Sequence, residues 1–567
     1  MAQGQPRRRN VHYEVQGLRG ASWTILDLLY EESDAMAAAE QHWSSGGHTA
    51  VRVLKERFDP DSNTFNSIEV AHKGKRAKRA GEIELGGAVG VCRRLEDFYG
   101  VESRGSIGEV LRDTLDEWQI TPLELLHDID NYYRLDGAGT LLQKAVQQAA
   151  IRVQAGDMSV QERMKLIFSL IDGGVDRLKT DAEAKRVPAF KKSSFRTLVT
   201  KLDGSDDRAY LLTAAVVGFL KPVGKIADKL KALMPLFLPD LPDWAVAVLD
   251  DFVAEFLAHT PIVIALIGKR RSLGDALIAM AHLAEGHLEQ ASGGKRGLTA
   301  EARAIDGLMR GQQLSRARRV LFERVRAELA RNRRLTKGPL DGELKVMAQL
   351  LRAVSSEEHA LLTAAIEEAL EERGERYLNN QMIAEYLADA ADPIDSIERL
   401  LVLEEYVIGA TNKRALANYI VPIVTSPANE LYFKASDGKY TDRLLALSRI
   451  QKRVYDSAFQ ALHKQKIAGK LEEFCSAIID GHNLFEKLGT ADKTPAARGK
   501  RLLGMILDGY FTEGQPLERA RAEVRRYLRE PGFIEEYLAG VHEVEHPKKL
   551  ADLRNRLVSA GVADPRH

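Results

Sequence analysis

Leu314-Ser315-Arg316-Ala317-Arg318-Arg319-Val320-Leu321-Phe322-Glu323-Arg324-Val325-Arg326-Ala327-Glu328-Leu329 places Leu314, Ala317, Leu321, Val325 and Leu329 three or four residues apart. That spacing is the period of one apolar helix face, with charged residues filling the other. The same period starts near residue 88 and persists to the end of the chain. It is plain at 107–118, 141–153, 163–178, 361–370, 444–462 and 519–528. Connections between these stretches are short and hold Gly or Pro, which end helices. The most apolar part, 211–266, is expected to be the most buried.

Residues 11–72 read differently. Tyr13 and Val15 alternate with polar residues, as do Val51 and Val53, and Ile68 and Val70. An apolar run covers 25–30, and a helical stretch covers 34–43 with Ser33 or Asp34 as its N-cap. The dense turn signal Asp59-Pro60-Asp61-Ser62-Asn63 separates the last two strands. The fold class expected is therefore mostly α, a long multi-helix array or stacked bundle preceded by a small N-terminal α/β domain of β-β-α-β-β order. Composition shifts divide the chain into a disordered basic tail at 1–10, the α/β domain at 11–72 and a basic linker at 73–87. Helical domain I then spans 88–292, an Arg-rich helical connector 293–338, an acidic helical region 339–435 and a C-terminal helical domain 436–567. Arg376-Tyr377-Leu378 with Ile383, Tyr386 and Leu387 resembles Arg526-Tyr527-Leu528 with Ile534, Tyr537 and Leu538. A duplicated helical unit would give that match.

Composition narrows the function classes. The 567 residues are 45% hydrophobic and 29% charged, ordinary for a globular protein. Lys+Arg and Asp+Glu each number 81, so the chain is not globally basic. The only two cysteines, Cys92 and Cys475, exclude a disulfide scaffold, fit a reducing compartment and read as core residues. The charge-free apolar stretches 209–220 and 256–268 are shorter than the ~18–20 residues that span a bilayer. The proline-punctuated run 233–244 reads as a buried connection between core helices. No transmembrane segment, no membrane-surface contact and a cytoplasmic location are expected.

Charge is nevertheless segregated. Residues 303–337 hold eleven Arg/Lys against Asp306, Glu323 and Glu328. Residues 356–405 hold fourteen Asp/Glu against Arg373, Arg376 and Arg399. The two could face each other or a partner. Arg316, Arg318, Arg319, Arg324, Arg326, Arg331, Arg333 and Arg334 would stripe a helix face, and guanidinium binds phosphate or carboxylate bidentately.

Histidine motifs supply the alternatives. His542-Glu543-Val544-Glu545-His546 fits H-E-x-x-H, in which two His one helical turn apart hold zinc and the Glu is general base. Pro547 follows at once, which puts this pair at a helix C-terminus. His127-Asp128 lacks the upstream His of a metal phosphohydrolase and is expected on a helix surface. His282 and His287 are five apart, off one face unless Gly286 breaks the helix. The 218–225 stretch has the wrong spacing for a phosphate loop.

The expected function is a non-enzymatic cytosolic adaptor, scaffold or regulatory protein without a cofactor, docking a protein partner on a charge-patterned helical surface. Arg316, Arg319, Arg324, Arg326, Arg331, Arg333 and Arg334 are its expected contacts, with the acidic 357–405 segment beside them. The alternatives are a metal-dependent hydrolase using His542, Glu543 and His546, and a nucleic-acid-binding regulator using the arginines. Oligomeric state is not legible.

Overall fold

The computed structural model describes residues 11–19, 22–48, 50–59, 64–74, 92–152, 158–292, 297–354, 360–434, 440–491 and 494–564. The expected tail at 1–10, the turn at 60–63, the linker beyond residue 74 and the breaks at 293–296 and 436–439 lie outside them. The chain divides into two compact units, Met1–Ala88 and Val89–His567.

The first unit contains β1 (Val11–Arg19), β2 (Ser22–Leu29), α1 (Glu32–Ser44), β3 (Ala50–Asp59) and β4 (Thr64–Gly74). This is the β-β-α-β-β order read from alternation. The strands form one sheet in the order β2-β1-β3-β4, antiparallel throughout. Val15 lies opposite Val53 across the central pair. Tyr13, Val15, Val51 and Val53 share one face and bury against Ala35 and Ala39 of α1. Alternation forces this, because residues two apart leave a strand on the same side. α1 starts at Glu32, after extended Glu31, rather than at Ser33 or Asp34. Its first turn gains Glu32 and Asp34, whose charges favour a helix N-terminus.

The second unit is built from helices. Arg208–Leu220 and Asp243–Leu257 form its centre, with Leu212, Val216, Leu220, Leu249, Phe252, Val253 and Phe256 excluded from solvent. Each such side chain contributes roughly 1.5–3 kcal/mol by leaving water. Helices that are apolar on nearly every side have nowhere else to go. The proline run between them makes a 3-10 turn at Met234–Leu236 and then starts the next helix after Pro242. One continuous apolar core extends from Leu123 to Val562. A smaller cluster of Leu111, Leu115, Ile120, Leu125, Leu135 and Ala145 lies at the N-terminal end of the unit.

Both halves of the 376/526 resemblance end a long helix and open a short one. These are Ala360–Tyr377 with Asn380–Leu387, and Gln515–Leu528 with Phe533–Leu538. Their packing differs, since Ile383 is 3% exposed and Ile534 is 43% exposed.

Gly286 does break its helix. Leu273–Ala284 stops just before it, and Gly286 takes φ +72. A Cβ there would sit 2.5 Å from the Arg310 backbone nitrogen and 2.7 Å from its Cα. Gly286→Ala therefore meets both left-handed strain and a backbone clash. It should destabilise the helical unit by about 2–4 kcal/mol, read from its denaturant midpoint.

Candidate functional site

An apolar cleft of about 140 Å³ opens in the helical unit. Its walls come from helices Val101–Val110, Ile129–Asp136, Leu141–Arg152 and Val160–Glu183, with shorter pieces at Leu95–Phe98 and Pro122–His127. Ile107, Val110, Leu142, Leu166, Ile167 and Ile171 line it and are only half-buried. The long helix carries Leu166, Ile167, Leu170, Ile171 and Val175 to the same wall because they recur at helical spacing. Its start is fixed by a capping box between Ser159 and Glu162. Cys92 lines the cleft and is half-buried, in the irregular chain before Leu95–Phe98, not in a helix core. Burial pushes its thiol pKa up, so it stays protonated and poorly nucleophilic. Cys475 is fully buried, as expected.

Behind this cleft lies a buried polar network. Tyr99, which lines the cleft, packs its ring 5.0 Å from His127 and 5.4 Å from Tyr210. Arg177 lies 3.6 Å over the Tyr210 ring and binds Asp207 at 2.9 Å. His127 is thus in the interior, not on a helix surface, and its Nδ1 is 2.9 Å from the Leu123 carbonyl. Burial drives its pKa down to about 4, so the ring is neutral and Nδ1–H donates. Asp128, also buried, caps Ile129–Asp136 and accepts from Lys221 at 2.9 Å.

Arg104 crosses from helix Val101–Val110 to Asp251 at 3.0 Å and Glu255 at 2.8 Å. It also donates to the Tyr99 carbonyl. Glu255 accepts from the Leu123 amide at 2.8 Å, and Asp250 accepts from the amides of Arg316 and Ala317 at 2.7 and 3.0 Å. Two carboxylates of one apolar helix therefore cap the starts of two others. Burial raises Glu255 to about 7 and Asp250 to about 6. Glu124 and Lys229 form a further buried pair at 2.6 Å. These groups bind one another and backbone, an arrangement that orients helices. Sequence reasoning passed over Tyr99, Arg104, Asp251 and Glu255. The available signal was three acids, Asp250, Asp251 and Glu255, inside an otherwise apolar stretch of helix.

The sequence-derived arginines are largely engaged inside the chain. Arg316 pairs with Asp251, and Arg318 is buried against the Ala284 and Met309 carbonyls. Arg324 donates to the Ala258 carbonyl at 2.6 Å and to Thr260. Arg331 pairs with Glu328, and Arg334 donates to the Gly338 carbonyl. Arg319 is exposed and Arg326 half-buried, both beside Glu323, and Arg333 is exposed. A single stripe facing outward is not what the helix presents. Its positive end is instead held by Asp250 and its C-terminus by arginines of the acidic segment. Arg373 donates to the Leu329, Arg331 and Arg333 carbonyls, and Arg376 to those of Leu329 and Ala330. The basic and acidic segments do meet, through helix-terminal carbonyls.

The H-E-x-x-H stretch does not lie on one helix, which corrects the expected helix C-terminus. His542 caps the 3-10 turn Glu543–Glu545, and His546 opens helix His546–Ser559. Pro547 fits because a first-turn proline has no amide to lose. The His546 Nε2 lies 3.0 Å from the Val541 carbonyl and so donates, leaving that nitrogen no lone pair for a metal. Among the described residues no three His, Cys, Asp or Glu side chains are grouped to hold a metal ion. No helix among them is long and apolar enough to cross a membrane.

Compared with known proteins, the chain matches no family, no curated protein and no solved structure.

Proposed function

We propose that this chain is a non-enzymatic cytoplasmic docking protein whose helical unit holds an apolar helix of a protein partner. The observation that carries the reading is the half-buried aliphatic wall of Ile107, Val110, Leu142, Leu166, Ile167 and Ile171. An amphipathic helix lays such residues into a groove at three- and four-residue spacing. The network of Arg104, Asp251 and Glu255 supports this reading by holding the cleft walls in register before a partner arrives, which lowers the ordering penalty of binding. Arg319 and Arg333 are exposed on the Arg-rich segment of the same unit and offer the partner charged contacts outside the cleft. The two free cysteines suit the cytoplasm.

The test is a photo-crosslinking amino acid placed at Ile171 in the full chain, in its own cells. Lys179, exposed on the same helix and not lining the cleft, is the control position. One discrete adduct is expected at Ile171 and none at Lys179. Adding Leu142→Asp should cut the adduct roughly tenfold or more, since a carboxylate cannot be buried against an aliphatic helix. Equal adducts at both positions, or none at either, would sink the reading.

A further inference from the structure

A second opening, of about 420 Å³, lies elsewhere in the helical unit and differs in kind. One wall is a single face of helix Leu273–Ala284, where Asp275, Ile278, Ala279 and His282 follow helical spacing. The opposite wall is Leu288 and Ala291 of the short helix after the Gly286 turn. The mouth is Lys269-Arg270-Arg271, three cations in succession.

These cations are held on a short connection with both ends fixed. Gly268, at φ +75, ends helix Thr260–Ile267, and the Ser272 hydroxyl caps the next helix by accepting from the Asp275 amide at 3.0 Å. Among the described residues none of the three makes a hydrogen bond or an ion pair, whereas Arg316, Arg318, Arg324, Arg373 and Arg376 are all engaged. The Arg270 Nε and the His282 Nδ1 are both buried there without a partner. Buried polar atoms left so are costly, and a ligand that accepts from them recovers that penalty. Three cations against one carboxylate, Asp275, leave the opening positive. Its remaining lining includes the apolar Ile278, Ala279, Leu288 and Ala291.

We propose that this opening binds a small phosphorylated molecule, its phosphate or pyrophosphate at Arg270, Arg271 and His282 and its apolar body against Ile278 and Leu288. Guanidinium presents a planar fork that matches phosphate oxygens, and an imidazole N–H completes the set. The volume exceeds what an inorganic ion needs, which is why the ligand has a body.

The test is calorimetric titration of the full chain with pyrophosphate and with phenyl phosphate in about 50 mM chloride, where screening is modest. Saturable one-to-one binding is expected. Arg270→Gln should weaken it roughly tenfold or more, the equivalent of losing one charge-assisted bidentate contact. His282→Gln should weaken it less, and Arg331→Gln, which does not line this opening and is already paired with Glu328, should leave it unchanged. The ligand also leaves a signature on His282, whose pKa is lowered by burial and by His287 and Arg270. Its NMR titration should move upward when pyrophosphate is present, because a bound anion favours imidazolium. Vesicles carrying phosphatidic acid distinguish the source. Binding lost with Arg270→Gln points to a lipid headgroup, and no vesicle binding points to a free ligand. Absent or non-saturating heat with both soluble probes, or equal weakening by Arg331→Gln and Arg270→Gln, would overturn the site.

Discussion

Replacing Arg373 by methionine is expected to destabilise the helical unit by about 3–5 kcal/mol, the range for breaking a buried ion pair from one side. Arg373 is 1% exposed, and it pairs at 3.1 Å with Glu343, which is 0% exposed. Its two terminal nitrogens also close the carbonyls of Leu329, Arg331 and Arg333. Glu343 in turn accepts from the Leu335 and Thr336 amides and from the Tyr377 hydroxyl. Arg373→Met would leave the Glu343 carboxylate without its cation and the Arg331 and Arg333 carbonyls without the donor that Arg373 supplies in the interior. The cost should appear first as faster hydrogen exchange at Leu335 and Thr336, and then as a lower denaturant midpoint. Arg373→Met with Glu343→Gln should recover part of the loss, because the stranded charge is gone. A single variant that exchanges and unfolds like the parent would refute the argument.

The second large effect concerns pH. Glu255 titrates near 7 in the folded chain against an ordinary 4.5, so across that window the folded state holds a proton that the unfolded state has released. Its contribution to stability is therefore lost as pH rises through 7. His127 is the reverse. Its pKa falls from 6.5 to about 4, so the unfolded state holds the extra proton, and stability is lost as pH falls through 4. Each shift corresponds to about 3 kcal/mol. Asp250, raised to about 6, acts in the same direction as Glu255.

The variants should separate the two slopes. Glu255→Gln should gain about 3 kcal/mol relative to the parent between about pH 4 and about pH 8. His127→Gln should lose a similar amount relative to the parent over the same range. Denaturant unfolding at the two ends of the range measures both. Parallel profiles for either variant and the parent would show that the group does not titrate in this window.

These two networks also mark where sequence reading succeeds and stops. The helical unit was legible because Leu314, Leu321, Val325 and Leu329 repeat with the helical period, and all four are fully buried. The sheet was legible for the same reason, since Val15 and Val53 sit at alternating positions and the structure buries both. Periodicity is local, so it survives without knowledge of the fold. Gly286 was legible because a glycine lacking Cβ is a local signal too.

The fate of the charges was not legible. Arg316 to Arg334 read as a surface stripe, yet Arg318 is 2% exposed and Arg316 and Arg324 serve helices far away in the chain. His542 to His546 read as one helix end, but Pro547 starts a helix there instead. Lys269, Arg270 and Arg271 attracted no notice among 81 basic residues. What distinguishes them is that among the described residues none makes a hydrogen bond or an ion pair, and such partners come from distant segments. Hydrophobic period alone thus determined which stretches are helices and strands and which faces they bury. Only tertiary packing decided which charges neutralise one another and which remain available, because that depends on distances between residues tens to hundreds of positions apart.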